Sequence, residues 1–291
     1  MKHAILGAGA IGGLIGTALA SLGEDVTMVV RPEKVGSYPE RLTLERPGGA
    51  ITAPARAVAK LTETVDVLWI ATKTFQLAEA MQAVKQEPRM MIPLLNGVDH
   101  VEWLRRKFPN VEVVPGTIAI EAERAAPGAF IQRAPTVKLN LAAAAEPLLG
   151  VIIQRLAPLG FVSQFVANEA TLLWGKLCFL GPLALVTSAS GKNKGEVFGN
   201  ETWKQKLHDA VRETCAVGKA YGADVDAEKI SQVMENAPAA MRSSMQKDVA
   251  AGRPLELDAI GGTIVRHGEQ RGIEVPIIKS LIGEIVAKAA A

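Results

Sequence analysis

The chain reads as an α/β half followed by an all-helical half. Three observations carry that prediction. Short β-rich runs alternate with helical ones as far as about residue 167. A glycine-rich turn, Gly7-Ala8-Gly9-Ala10-Ile11-Gly12, joins the first β-rich run to the first helical one. After Asn168 no convincing strand pattern follows, and helical periods run to the C-terminus. Regular strand–helix alternation argues a parallel, doubly wound sheet.

Taken in order, residues 2–6 form the first expected strand and 11–22 the first helix. A second strand is expected over 25–30. A third, over 65–72, is continuously apolar, as a strand covered on both faces would be. Residues 90–95 and 111–114 supply a fourth and a fifth. The stretch 128–141, with Pro135 inside it, reads as irregular edge strands. A helix over 146–156 and a strand over 161–166 close this half. In the second half, 201–221 and 254–271 carry apolar residues at three- and four-residue spacing, such as Leu257, Ile260 and Ile264. The expected domains are therefore 1–167 and 168–291, with no linker, repeat or low-complexity segment between them.

A length of 291 residues fits two domains of roughly 100–200 residues each. With 48% hydrophobic and 21% charged residues, the chain can bury a substantial core. Thirty-two basic against thirty acidic residues leave a net charge of +2, and aromatics are only 4%, so neither a phosphate-tracking surface nor a base-stacking platform is expected, and no nucleic-acid partner. Cys178 and Cys215 provide neither a disulfide framework nor zinc-ligand spacing, which points to a reducing compartment and no metal site. The first twenty residues imitate a signal peptide, with Lys2, an apolar run and Ala18-Leu19-Ala20, but five glycines interrupt the run. The apolar stretch 170–191 is broken by Gly175, Gly181 and Pro182, which suits buried helix better than a membrane span. A cytoplasmic protein without membrane contacts is expected.

Gly7-Ala8-Gly9-Ala10-Ile11-Gly12 matches the G-x-G-x-x-G dinucleotide fingerprint, and it stands in the required context, after a strand and opening a helix. The first glycine permits the tight turn, the second lets the backbone approach a pyrophosphate, and the third lets helix and strand pack closely. All six residues are candidate cofactor contacts of a Rossmann-like domain. Binders of NAD usually place an acidic side chain at the end of the second strand. Here Arg31 stands in that place, and a guanidinium can fork onto a 2′-phosphate, so NADP(H) is the expected cofactor. Lys73 and Asn96-Gly97 follow the third and fourth strands, on the sheet edge where such folds bind ligands.

Lys176 is the only charged residue between Glu169 and Lys192, and Leu180 and Ala184 share its helical stripe. A buried ammonium needs a partner, and Glu256, expected in the first turn of the helix after Pro254, is the candidate. The four histidines, His3, His100, His208 and His267, have no evident orienting partner in sequence and read as surface residues, whereas Cys178 reads as core packing.

Gly7-Ala8-Gly9-Ala10-Ile11-Gly12-Gly13, Thr72-Lys73-Thr74, Leu95-Asn96-Gly97-Val98, Trp174-Gly175-Lys176-Leu177, Ser243-Ser244-Met245 and Gly252-Arg253-Pro254-Leu255-Glu256-Leu257-Asp258 occur in this order. Together they resemble the ketopantoate reductase (2-dehydropantoate 2-reductase) family over nearly the whole length. The resemblance implies NADPH-dependent reduction of a small branched 2-oxo acid, with Lys176 as proton donor and Glu256 engaging the cofactor or supporting that lysine. It places Lys73, Asn96 and Ala122 at the nicotinamide side and Ser244 on the substrate carboxylate. A homodimer through the helical domain is the assembly to look for.

Three residues depart from the family, which has asparagines where this chain has Leu180, Ala184 and Lys194. Leu180 and Ala184 are expected to line the substrate pocket without bonding a hydroxyl, and Lys194 to offer the carboxylate a flexible, hydrated cation. Two rival readings follow. One is a D-2-hydroxyacid dehydrogenase of the same superfamily acting on a more apolar acid. The other is a non-enzymatic NADP(H)-responsive protein, against which the presence of both Lys176 and Glu256 argues. The β-hydroxyacid dehydrogenases are set aside, because Leu177-Cys178-Phe179-Leu180 lacks the paired asparagines of their lysine motif.

Overall fold

The computed structural model describes residues 1–289, which form two compact units. One comprises Met1–Leu95 and His100–Ala167. The other begins at Asn168 and also takes in Asn96–Asp99.

The first unit holds thirteen strands: β1 (Lys2–Leu6), β2 (Asp25–Val29), β3 (Arg41–Glu45), β4 (Ile51–Pro54), β5 (Arg56–Val58), β6 (Val67–Ile70), β7 (Met90–Pro93), β8 (Glu112–Val113), β9 (Gly116–Ala119), β10 (Ala122–Ala126), β11 (Ala129–Gln132), β12 (Val137–Ala142) and β13 (Phe161–Val166). Its helices are α1 (Ala10–Ser21), α2 (Leu77–Ala80), α3 (Asp99–Lys107), whose first residue groups with the other unit, and α4 (Glu146–Arg155). The main sheet is six-stranded and wholly parallel, in the order β5-β2-β1-β6-β7-β8. Its strand order reverses between β1 and β6, the switch point at which such sheets bind ligands. Every residue of β6 and β7 is buried, which explains why their sequences run apolar without alternation.

The doubly wound sheet predicted from sequence is present, with strand ends displaced by a few residues. Strands β5, β9 and β10 were not expected, and two further features differ. Residues 128–141 are not irregular edge strands: β12 lies at the centre of a three-stranded sheet, parallel to β13 and antiparallel to β9, and Pro135 falls in the turn before it. A four-stranded sheet, β10-β11-β3-β4, packs on α1, and its β3–β4 hairpin escaped the sequence reading.

His3, read as a surface residue, is fully buried in β1, where it accepts a hydrogen bond from Trp69 Nε1 at 3.2 Å. Burial holds its imidazole down to about 4, so it sits neutral within the core. His100 is likewise buried, with 3% exposure.

The second unit is built from α5 (Glu169–Ser190), α6 (Lys194–Phe198), α7 (Glu201–Ala220), α8 (Ala227–Glu235), α9 (Ser244–Ala250), α10 (Thr263–Gln270) and α11 (Pro276–Ala289). Asn168 caps α5 by accepting from the Thr171 amide, and Gly191 ends it in the left-handed conformation. By length and composition α5 is the one described helix able to cross a membrane, yet 61% of its most apolar window is buried inside the protein. It packs against α7, α9 and α11 around Leu177, Cys178, Leu185, Val211, Ile260 and Leu281. Pro182 inside α5 removes the amide that would otherwise meet the Cys178 carbonyl.

The expected helix over 254–271 begins only at Leu257 and opens with a π-helical turn, Asp258–Gly262, before continuing as α10. Glu256 therefore precedes the helix. Its carbonyl accepts from the Ile260 amide, as a capping residue's does.

Candidate active site

The glycine-rich loop of the first unit fits a dinucleotide. Gly7 has φ +104°, and a Cβ there would lie 2.8 Å from the Ala71 and Thr72 backbone at the end of β6. A Cβ on Gly12 would lie 2.0 Å from the Gly7 carbonyl oxygen, so only glycine lets α1 start this close to the turn. A Cβ on Gly9 would meet nothing within 4 Å, so the second glycine faces open space. Helix α1 has no side-chain cap and no acidic residue in its first turn, which leaves its positive end suited to an anion.

Arg31 is exposed two residues after the end of β2 and caps the short 3-10 turn Pro32–Ser37 with extended backbone. Lys73 plays the same part after β6, at the head of Thr74–Gln76, and is half-buried. Ala122 opens β10 opposite Gln132. Ala8, Ala10 and Ile11 are half-buried on the loop and the first turn of α1.

The second unit gathers Lys176, Glu256 and Asn96. Glu256 is 5% exposed, and its Oε2 accepts from Asn96 Nδ2 at 3.2 Å. Lys176 lies on α5, half-buried, and desolvation lowers its ammonium from 10.5 to about 8 despite the opposing charge of Glu256. At pH 7 the lysine is mostly protonated, yet its pKa lies close enough to neutrality for it to surrender the proton readily. Glu256, which sequence placed in the first turn of a helix, instead precedes it as a buried carboxylate that accepts from the Asn96 amide and whose charge acts on Lys176.

The segment Asn96–Asp99 is tied down along its length. Val98 is part of the helical core. Asp99 accepts from His267 Nε2 at 2.6 Å and from Arg266 Nη2 at 2.7 Å. Burial pushes the Asp99 carboxyl up, but hydrogen bonds from His267, Arg266 and Thr263, with the His267 charge, outweigh it and hold the group well below the usual carboxylate range. His267 also packs edge-on against Trp174 and Tyr221. It is thus an oriented residue, contrary to the surface reading, and Asp99 went unnoticed because its partners lie 167 and 168 positions away.

Three other predicted residues find different surroundings. Ser244 is exposed at the first position of α9, while its neighbour Ser243 does the capping, accepting from the Gln246 amide and bonding Thr187 Oγ1 at 2.9 Å. Lys194 is 6% exposed, with Nζ donating to the Glu235 carbonyl and lying 4.7 Å from the Phe198 ring centroid. Its head is buried and held, not flexible and hydrated. Ala184 is 1% exposed, sealed in the core, whereas Leu180 keeps part of its surface.

A parallel sheet carrying a glycine-rich turn, followed by helices that hold a desolvated lysine beside a carboxylate, defines the class of two-part oxidoreductases. The family profile described as ketopantoate reductase PanE/ApbA matches residues 3–146, and its C-terminal counterpart matches 169–289. The 2-dehydropantoate 2-reductase of Caulobacter vibrioides is 32% identical, with 98% of each chain covered. Among solved structures, a PanE/ApbA family ketopantoate reductase from Ralstonia eutropha JMP134 has a TM-score of 0.87 at 24% identity, covering 100% of this chain and 99% of that one. The ternary structure of D-mandelate dehydrogenase with NADH and anilino(oxo)acetate has a TM-score of 0.86 at 24% identity, covering 100% and 98%. The chain belongs to the ketopantoate reductase family.

Proposed function

We propose that this protein reduces a small branched 2-oxo acid to the 2-hydroxy acid at the expense of NADPH, with 2-dehydropantoate as the first substrate to test. The observation that carries the reading is Lys176, desolvated to about 8 and charge-coupled to the buried, Asn96-bonded Glu256. NADPH, when bound, supplies the hydride. Residues 7–12 hold its pyrophosphate through backbone amides, Arg31 takes the 2′-phosphate, and Lys73, Asn96 and Ala122 serve the nicotinamide side. Lys176 donates its proton to the substrate oxygen as alkoxide character develops there, and Glu256 favours the charged lysine beforehand. Ser244, exposed on α9, is the proposed contact of the substrate carboxylate. The cytoplasm is the proposed compartment.

A second reading, a D-2-hydroxyacid dehydrogenase for a more apolar acid, is favoured by Leu180, which sits one turn beyond Lys176 and keeps part of its surface exposed. The experiment is a comparison of kcat/KM for ketopantoate and 2-oxoisovalerate, which lacks the hydroxyl. Sites built to bond a hydroxyl reject its absence by roughly 10⁴–10⁵. A ratio well below that is expected here, whereas a ratio of four or five decades would restore plain ketopantoate specificity. Cofactor binding with no turnover on any 2-oxo acid would leave the non-enzymatic reading.

Cofactor choice gives a second test. NADPH is expected to bind more tightly than NADH, and Arg31→Ala to narrow that gap by about 1–3 kcal/mol, the value of a charge-assisted contact. Equal affinity of the unmodified protein for both nucleotides, read by titration calorimetry, would refute the assignment.

A further inference from the structure

We propose that Arg124, on β10, is a phosphate-binding residue for the dinucleotide, a guanidinium laid over the glycine-rich loop from the small sheet rather than supplied by the loop or by α1. The inference rests on the reading of residues 7–12 as a dinucleotide loop and adds a residue that neither the fingerprint nor the sequence analysis singled out.

A Cβ added at Gly13 would fall 2.0 Å from the Phe130 ring, so Phe130 is pressed directly onto the start of α1. In the antiparallel pair β10–β11, Arg124 stands opposite Phe130, and residues directly opposite one another project from the same face. Arg124 therefore shares the face that covers α1. Immediately after it the register shifts, between Arg124 and Ala126, and irregularities of this kind re-aim a side chain next to functional sites. The outcome is a hydrogen bond from Arg124 Nη1 to the carbonyl oxygen of Ala8, 3.4 Å long, inside the fingerprint between its first two glycines.

The chemistry follows from what that bond leaves over. A guanidinium has five N–H donors in a fixed fork, and one long bond to a neutral carbonyl engages only one of them. Arg124 is exposed, and the acid beside it in sequence, Glu123, is paired with Arg133. A cation anchored at Ala8 lies beside the backbone over which the fingerprint receives the pyrophosphate. Phosphate oxygens are stronger acceptors than the Ala8 carbonyl, so the weak bond is readily exchanged or supplemented when the nucleotide arrives. Arg31, after β2, is proposed to read the 2′-phosphate, and Arg124 to hold the diphosphate that NADH and NADPH share.

That division of labour sets the test. NADPH and NADH are titrated separately against the unmodified protein, Arg124→Ala and Arg124→Lys, with the melting temperature of each nucleotide-free protein measured alongside. Arg124→Ala should weaken both nucleotides by a similar factor, roughly 10-fold or more, leaving their affinity ratio and the nucleotide-free melting temperature unchanged. Arg124→Lys, which keeps the charge and loses the fork, should fall between. Unchanged affinity for both nucleotides, loss confined to NADPH, or a weakened affinity accompanied by a melting point several degrees lower would each overturn the proposal. If the unmodified chain binds neither nucleotide, the dinucleotide reading itself fails, a result distinct from a null effect of the variant.

Discussion

Lys176→Ala is expected to lower turnover by roughly 10²–10⁴-fold, the usual contribution of a positioned acid, while leaving NADPH binding nearly intact. The side chain belongs to the second unit and the glycine-rich loop to the first, and the lysine's proposed task begins only when the substrate oxygen gathers charge. The pH profile carries the sharper information. Desolvation brings this lysine down to about 8, and only its protonated form can donate, so kcat/KM should fall as pH rises through about 8 rather than near the usual lysine value. Glu256→Gln removes the carboxylate that opposes this shift, so the falling limb should move to still lower pH. Undiminished turnover in Lys176→Ala, or a flat profile between pH 7 and 10 in the unmodified protein, would remove Lys176 from the mechanism.

Gly97→Ala is expected to be severe for a different reason. Gly97 has φ +81°, and a Cβ there would lie 2.2 Å from the carbonyl oxygen of Ala259, a backbone atom that has no rotamer by which to escape. Left-handed backbone costs a non-glycine residue about 1–2 kcal/mol, and overpacking adds about 1–3 more, so a loss of about 2–5 kcal/mol in unfolding free energy is expected. Turnover should fall as well, since Asn96 cannot keep its 3.2 Å bond to Glu256 if the segment lifts. Chemical denaturation together with steady-state kinetics reads both effects. A variant as stable and as active as the parent would show that the segment gives way cheaply.

The parts of the fold that were legible in sequence are those whose cause is local. The buried strands β6 and β7 announce themselves as apolar runs, and the fingerprint is legible because its glycines recur at fixed spacing between a strand and a helix, with Gly12 closing on the Gly7 carbonyl five residues back. The β3–β4 hairpin did carry a signal, with Leu42 and Leu44 alternating with polar neighbours ahead of Pro47-Gly48-Gly49, but at four and five residues its strands are too short to stand out. The role of β12 was hidden because Pro135 read as a strand breaker, when it ends one turn and lets the next strand enter the middle of a sheet.

The candidate site divides in the same way. Lys176 was conspicuous as a lone charge in an apolar stretch. Asp99, by contrast, acquires its meaning from Arg266 and His267, and Lys194 from a carbonyl 41 positions away. No spacing rule reaches such pairs. For Ala184 the shared stripe with Lys176 and the family's asparagine at that place both point to the pocket, yet the side chain is sealed in the core. Periodicity gives direction around an axis, and it does not reveal how deeply neighbouring helices bury that side.

The π-helical turn at Asp258–Gly262 has a consequence for the angular phase of the helix that follows. A π turn amounts to one residue inserted into an α-helix, and each residue of an α-helix advances the face by roughly 100°. Glu256 before the turn and Arg266 and His267 after it are all required by the same four-residue segment, the first by Asn96 and the other two by Asp99. The surplus residue sets the dihedral offset between those two attachments. The chain here behaves like a gear with one added tooth: removing a single residue from the turn would keep the helix intact and still rotate one attachment out of mesh.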